Sequence, residues 1–271
     1  MRKAGKWIRN LILGLGVFAV AFPLLWCVLL SFKSNGEIMS AEAPFLPTKL
    51  VLDGYRRVLE DAPFFQWLFN SIVTAVAATA LTAFTSCVAG YIFAKFRFRG
   101  KTVLFFAILA TMMVPFQVTM IPLYLIVNKM QMLDSLLALI VPYMVSGFGV
   151  FLCRQFAESI PTEIIESGRI EGAGEWRIFF RLIMPMMKSG ISALCIFTFM
   201  GRWNDYVWPL IALTSERKMT LPLALNYFNS NLFTDYNASM SAGVLVMLPL
   251  LIIYFIFQKQ FVESITLTGI K

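Results

Sequence analysis

The chain has no histidine among its 271 residues, so it offers no imidazole as base or metal ligand. Its four cysteines, Cys27, Cys87, Cys153 and Cys195, show neither metal-ligand spacing nor a paired arrangement. All four fall in long apolar runs, where cysteine serves as a small packing residue. Gly100-Lys101-Thr102 has the ending of a phosphate-cradling loop, Gly-x-x-x-x-Gly-Lys-[Ser/Thr]. Lys95 stands where the first glycine is required, and the segment is a short basic link, so it reads as structure and topology. No nucleophile–base constellation is present, which argues against an intramembrane enzyme. Two polar groups remain: Arg202 to Pro209, and the stretch ESGRIEGAGEWRIFFRLIMP over 166–185.

In the first group, Arg202 and Asp205 stand at i, i+3 and can pair. One reading is a structural ion pair within an interfacial aromatic belt. The other is a pathway lined by Trp203, Asn204, Asp205 and Tyr206. Amide donors and acceptors and aromatic faces suit a polar, ring-shaped solute. Sequence neighbours on a helix point about 100° apart. Trp203, Asn204 and Asp205 therefore cannot share one cavity unless the helix unwinds, as Pro209 would permit.

The elements that position these groups are apolar. The chain is 59% hydrophobic and only 14% charged, with a mean hydropathy of +0.75. Ordinary soluble domains are about 25% charged, and this composition cannot clothe a soluble body of this size. Uncharged runs at 11–32, 62–94, 102–128, 135–153 and 236–258 each supply the roughly 20 residues that cross a bilayer as helix. A sixth run, 189–215, is interrupted by Arg202 and Asp205. The alternation of a membrane barrel is absent. The expected fold is an all-α polytopic membrane protein with six transmembrane helices. The first span lacks a cleavage signal and reads as retained. Pro23, Pro115, Pro122, Pro142 and Pro249 fall inside spans, which suits a moving or pathway-lining bundle.

The formal charge of +8 is a topology signal. Arg2, Lys3, Lys6 and Arg9 precede the first span; Lys95, Arg97, Arg99 and Lys101 fill the link after the second. Arg154, Arg169, Arg177, Arg181 and Lys188 surround the 166–185 stretch, and Lys259 and Lys271 follow the last span. With six spans these regions share one face, which the positive-inside rule places in the cytoplasm together with both termini. Nucleic acid is not an expected partner.

The second polar group reads as a helix–turn–helix on that face. Pro161 suits a first helical turn, with Ser159 or Thr162 as candidate cap. Ile164, Ile165 and Gly168 fall on one face. Gly172-Ala173-Gly174 reads as a tight turn. Trp176, Phe179, Phe180 and Ile183 then have the spacing of an apolar stripe, with Arg177 and Arg181 on another face. Periodicity alone leaves two readings: a connector lying on lipid headgroups, or a docking element for a cytosolic protein.

This stretch resembles the EAA loop of ABC-importer permeases: Glu-Ala-Ala, three residues, Gly, nine residues, Ile-x-Leu-Pro. Here it runs Glu166-Ser167-Gly168, then Gly172, then Leu182-Ile183-Met184-Pro185. Ser and Gly replace the two alanines, and Leu and Met replace Ile and Leu. From about Gln66 onward the chain is similar to carbohydrate-type permeases, the class containing the maltose-transporter permeases. The shared features are Asn70-Ser71, MMVPFQVTMIPLY, GRWNDYVWPL, MTLPLAL and FVESITLTG.

The resemblance implies a single ABC-importer transmembrane domain over 1–271, with core 66–258, coupling loop 158–186 and outer loop 213–240. It implies the permease subunit of a sugar or oligosaccharide importer in the bacterial plasma membrane. Glu166, Gly168, Glu171, Gly172, Trp176, Phe179 and Pro185 would couple to a separate ATPase, which holds ATP and Mg; this chain would bind no cofactor and no metal. The other partners implied are a second, homologous permease, an ATPase dimer and an extracytoplasmic solute-binding protein, the last touched by Asn226, Tyr227, Asn229 and Tyr236. Two rival readings are a permease for glycerol-phosphate or another polyol, and an ion-coupled carrier. A carrier wants acids at depth in its helices and repeated halves, and neither is seen.

Overall fold

The computed structural model describes residues 2–228 and 235–269, and every regular element among them is helical. The chain divides into two compact units, one of residues up to Trp67 with Leu221–Ile252, the other of Leu68–Thr220 with the chain from Ile253 onward.

In the first unit α1, Arg2–Leu30, is almost wholly exposed, with an apolar surface such as Phe18 and Val20. A helix of that kind is covered by lipid or protein rather than water. The segment after it is stapled to the start of the last helix. Asn237 donates from Nδ2 to the carbonyls of Ser31 (2.9 Å) and Lys33 (2.8 Å), and Asn35 donates to Asp235 Oδ1 at 3.0 Å. Arg57 pairs with Asp235. Gly54 has no room for a side chain: a Cβ there would stand 2.5 Å from Ser241 Oγ.

The second unit is organised by α2, Phe64–Lys95. The next apolar run does not form one straight span. It folds as α3, Lys101–Thr111, and α4, Phe116–Lys129, bent by 101° around Pro115. Proline removes an amide and disfavours helix in the residue before it. Pro122, by contrast, is accommodated inside α4. The fourth run is also broken: α5, Leu137–Ile140, continues as a 3-10 turn to Tyr143 and bends by 45° into α6, Gly147–Glu158. The hydroxyls of Thr82 and Thr85 donate to the freed carbonyls of Tyr143 and Met144, both at 2.5 Å. Ser146 caps α6 by accepting from the Gly149 amide at 3.2 Å. Close helix contact sets the pairing of α2 and α6, because a Cβ on Gly90 would lie 2.6 Å from Cys153 Cβ. Cys87 and Cys153 are buried side by side, Sγ to Sγ 3.7 Å, a pairing that spacing in the sequence does not disclose.

Among the described residues three helices are long and apolar enough to cross a membrane, Arg9–Leu30, Phe64–Lys95 and Tyr236–Phe255; counting each bent helix pair as one span brings the number to six.

Candidate coupling site

The 158–186 segment holds α7, Thr162–Ile170, then α8, Glu175–Ile178, and a π-helical turn, Phe179–Ile183; a 79° bend after it leads into α9, Lys188–Trp203. The turn between α7 and α8 closes as a Schellman motif. Ala173 N donates to Gly168 O at 2.9 Å and Gly172 N to Arg169 O at 3.0 Å. Gly172 takes φ +76°, the left-handed value that glycine accepts without strain. Gly168 has a different reason to be small. A Cβ there would press on Ile178 and Leu182 side chains at 3.2 Å, so α7 crosses the second helix at close range. Pro161 stands just before α7 without a side-chain cap. Neither expected cap forms, because Ser159 donates back to Phe156 O at 2.8 Å and belongs to the end of α6, while Thr162 is already helical.

One face of the segment is core. Ile165, Ile178, Phe179, Ile183 and Met187 are buried together with Tyr91, Ala157 and Ile160. Tyr91 contacts the ring of Phe179 at 5.7 Å, and its hydroxyl donates to Glu175 Oε2 at 3.4 Å. The other carboxylate oxygen, Glu175 Oε1, accepts from Arg169 Nε at 2.7 Å and holds that guanidinium further in its charged form. Lys95 donates to Ile160 O and so ties the end of α2 to the segment.

The opposite face is exposed. Glu166, Glu171, Gly172, Arg177, Arg181 and Pro185 lie on it. So do three large apolar side chains, Ile170 at 87% exposure, Trp176 at 62% and Phe180 at 49%. The stripe expected over Trp176, Phe179, Phe180 and Ile183 is therefore split. Phe179 and Ile183 go inward, while Trp176 and Phe180 stack on one another outside, 5.9 Å apart. A π-helical turn winds more loosely than 3.6 residues per turn, and periodicity at the standard pitch cannot see it. Of the seven coupling residues expected, Gly168 and Phe179 build the core and the other five form the surface. Tyr91 reaches Glu175 from 84 residues away, which sequence reading cannot see, whereas Arg169 and Glu175, six residues apart, meet across the turn that brings α7 and α8 together.

At the other end of this unit α9 stops at Trp203, and α10, Val207–Ala212, begins after three residues. The break precedes Pro209 rather than falling on it. Trp203 is 2% exposed and stacks on Phe199, while Asn204 is exposed and donates to Met200 O. Arg202 pairs with Asp205 at 3.3 Å and lies over the Tyr143 ring at 3.5 Å. A cavity of about 230 Å³ opens here; Gly201 and Arg202 line it, and Trp203, Asn204, Asp205 and Tyr206 do not. Trp208 is fully buried and donates to Ala138 O at 2.9 Å. Asp134 accepts from the amides of Thr214 and Ser215, the Ser215 hydroxyl and Lys218. These bonds, the Ser215 hydroxyl first, hold its carboxyl well below the usual carboxylate range. Asn70 clamps the same loop by donating to the carbonyls of Arg217 and Met219.

The last helix, α11, spans Tyr236–Gly269. Of the expected binding-protein contacts, Asn226 and Tyr227 are exposed, Tyr236 opens α11, and Asn229 lies outside the described residues. No group of three or more potential metal ligands occurs among the described residues.

Residues 86–266 match the family described as binding-protein-dependent transport system inner membrane component. The arabinooligosaccharides transport system permease protein AraQ of Bacillus subtilis is 34% identical over 92% of this chain and 90% of its own. The lactose transport system permease protein LacG of Rhizobium radiobacter is 33% identical over 97% of this chain and 96% of its own. A crystal structure of a bacterial ABC transporter involved in import of the acidic polysaccharide alginate contains a chain of the same fold. Its TM-score is 0.84 at 24% identity, over 95% of this chain and 96% of that one.

Proposed function

This chain belongs to the binding-protein-dependent transport system inner membrane components and is a permease subunit of an ABC importer; from that membership we propose that it forms half of a pathway for a sugar or oligosaccharide. ATP hydrolysis belongs to a separate ATPase pair, which docks on the 158–186 segment from the cytoplasm. A second, homologous permease completes the pathway, and an extracytoplasmic binding protein selects the solute and is met by the outer loop around Asn226 to Tyr236. Both termini lie in the cytoplasm. Sugar chemistry is supported by the permeases that resemble the chain over nearly its full length.

One observation carries the coupling reading. The segment buries one face against α2 and α6 yet leaves Ile170, Trp176 and Phe180 uncovered among charges. A headgroup connector directs its apolar face toward lipid and its charges away; here the two are mixed on a single exposed face. Mixed aromatic and charged surfaces of this kind suit a protein partner. The topology is tested in whole cells with an impermeant thiol reagent. Glu42→Cys is expected to react and Gly174→Cys to react only after the cells are opened; the reverse pattern rejects the orientation.

A further inference from the structure

The cavity beside Arg202 has a wall of mixed chemistry at a point where two helices are interrupted. Its walls come from α2, the break between α5 and α6, and the end of α9. Interrupted helices are where membrane carriers expose polar backbone and place solutes. Tyr143, Phe148 and Phe197 contribute aromatic rings, which suit the C–H faces of a sugar ring. The hydroxyls are set in complementary states. Thr82 has given its proton to Tyr143 O and keeps lone pairs to accept with, whereas Ser146 accepts from Gly149 N and keeps a proton to donate.

Arg202 is the one charged group on this wall. Its guanidinium lies over the Tyr143 ring and its charge is balanced by Asp205 at 3.3 Å. Its N–H groups can donate to hydroxyl oxygens, which carry two lone pairs each. A carboxylate or phosphate on the solute would compete with Asp205 for one guanidinium and leave one anion without a counter-charge in a poorly solvated site. We propose that this cavity is a binding station, on this chain itself, for one ring of an uncharged polyhydroxylated solute. The inference rests on the permease reading above and adds which subunit holds the solute and what charge the solute carries.

The assembled transporter is tested in membranes without any transported solute. Thr198, on the cavity wall, is replaced in Thr198→Cys, and labelling is followed at that peptide by mass spectrometry. The probes are 2-(β-D-glucopyranosyl)ethyl methanethiosulfonate, which is neutral, and 2-sulfonatoethyl methanethiosulfonate, which is an anion. The glucosyl reagent is expected to label faster despite its bulk, by roughly tenfold, the size of effect that well-placed hydrogen bonds to a charged group give. Adding Arg202→Met should slow the glucosyl reagent by removing the guanidinium donors. Adding Gly201→Leu should slow the glucosyl reagent by filling the cavity, and a Cβ at Gly201 meets nothing within 4 Å, so that variant is expected to fold. Equal or faster labelling by the sulfonate, or glucosyl labelling that either second substitution leaves unslowed, overturns the proposal. Uptake in cells tests the permease reading separately, so the two fail independently.

Discussion

The coupling end of the larger unit and the end near Asp134 are built from the same parts, short helices, a tight turn and scattered charges, but they use them oppositely. Near Asp134 the polar groups point at their own chain. Asp134 collects both neighbouring amides, a hydroxyl and an ammonium, and Asn70 takes two loop carbonyls. At the coupling end one ion pair, Arg169 with Glu175, fixes the two helices, while Glu166, Glu171, Arg177 and Arg181 are exposed. An end that satisfies itself is a structural cap. An end that keeps charge and apolar area outward has been left for another molecule to cover.

Two tryptophans give the largest expected contrast. Trp208 is fully buried and hydrogen-bonded, so Trp208→Ala should cost about 3–5 kcal/mol and deplete the chain from membranes. Trp176 is mostly exposed, so Trp176→Ala should leave stability within about 0.5 kcal/mol yet weaken ATPase docking. Thermal unfolding of the purified complex and co-purification of the ATPase separate the two effects. Equal loss of stability in both variants would erase the contrast.

Gly172→Val gives a smaller change of stability. Open space surrounds its Cβ position, so the cost is conformational, about 1–2 kcal/mol from φ +76° alone. The chain should still reach the membrane, but the angle between α7 and α8 should shift and binding-protein-stimulated ATPase activity should fall. Unchanged coupled activity would show that the turn does not set the docking surface.

The smallest effect is expected from pH at the other end. The folded-state carboxyl of Asp134 lies below its unfolded value, so its contribution is fully present above the ordinary aspartate range and is lost only as pH falls through the depressed value. Hydrogen exchange at Thr214 and Ser215, corrected for intrinsic rates, should be flat from neutrality down to about pH 4 and open only in stronger acid. Asp134→Asn should be open throughout; opening of the unaltered chain between pH 7 and 5 would count against the clasp.

Much of the coupling end was legible in the sequence because its signals are local. Gly172 follows a helical pattern at turn spacing, and Ile165 and Gly168 share a face whatever they pack against. What escaped reading depends on distant partners or on a change of helical pitch. Trp176 and Phe180 turn outward while Phe179 and Ile183, the two ends of the π-helical turn, go inward, and Asp134 is explained only by a loop about eighty residues away. The right angle at Pro115 shows the same limit. Proline announces a break, but Pro122 sits in a continuing helix, and composition does not distinguish the two.

Ile170 and Trp176 are the two side chains proposed to be covered by the ATPase. A photo-crosslinking amino acid placed at either position, and at exposed Thr214 as a control, would be activated in native membranes. Adducts with the ATP-binding subunit from positions 170 and 176, and none from 214, are the predicted result. Adducts with lipid alone from 170 and 176 would contradict the account and return the segment to a headgroup connector.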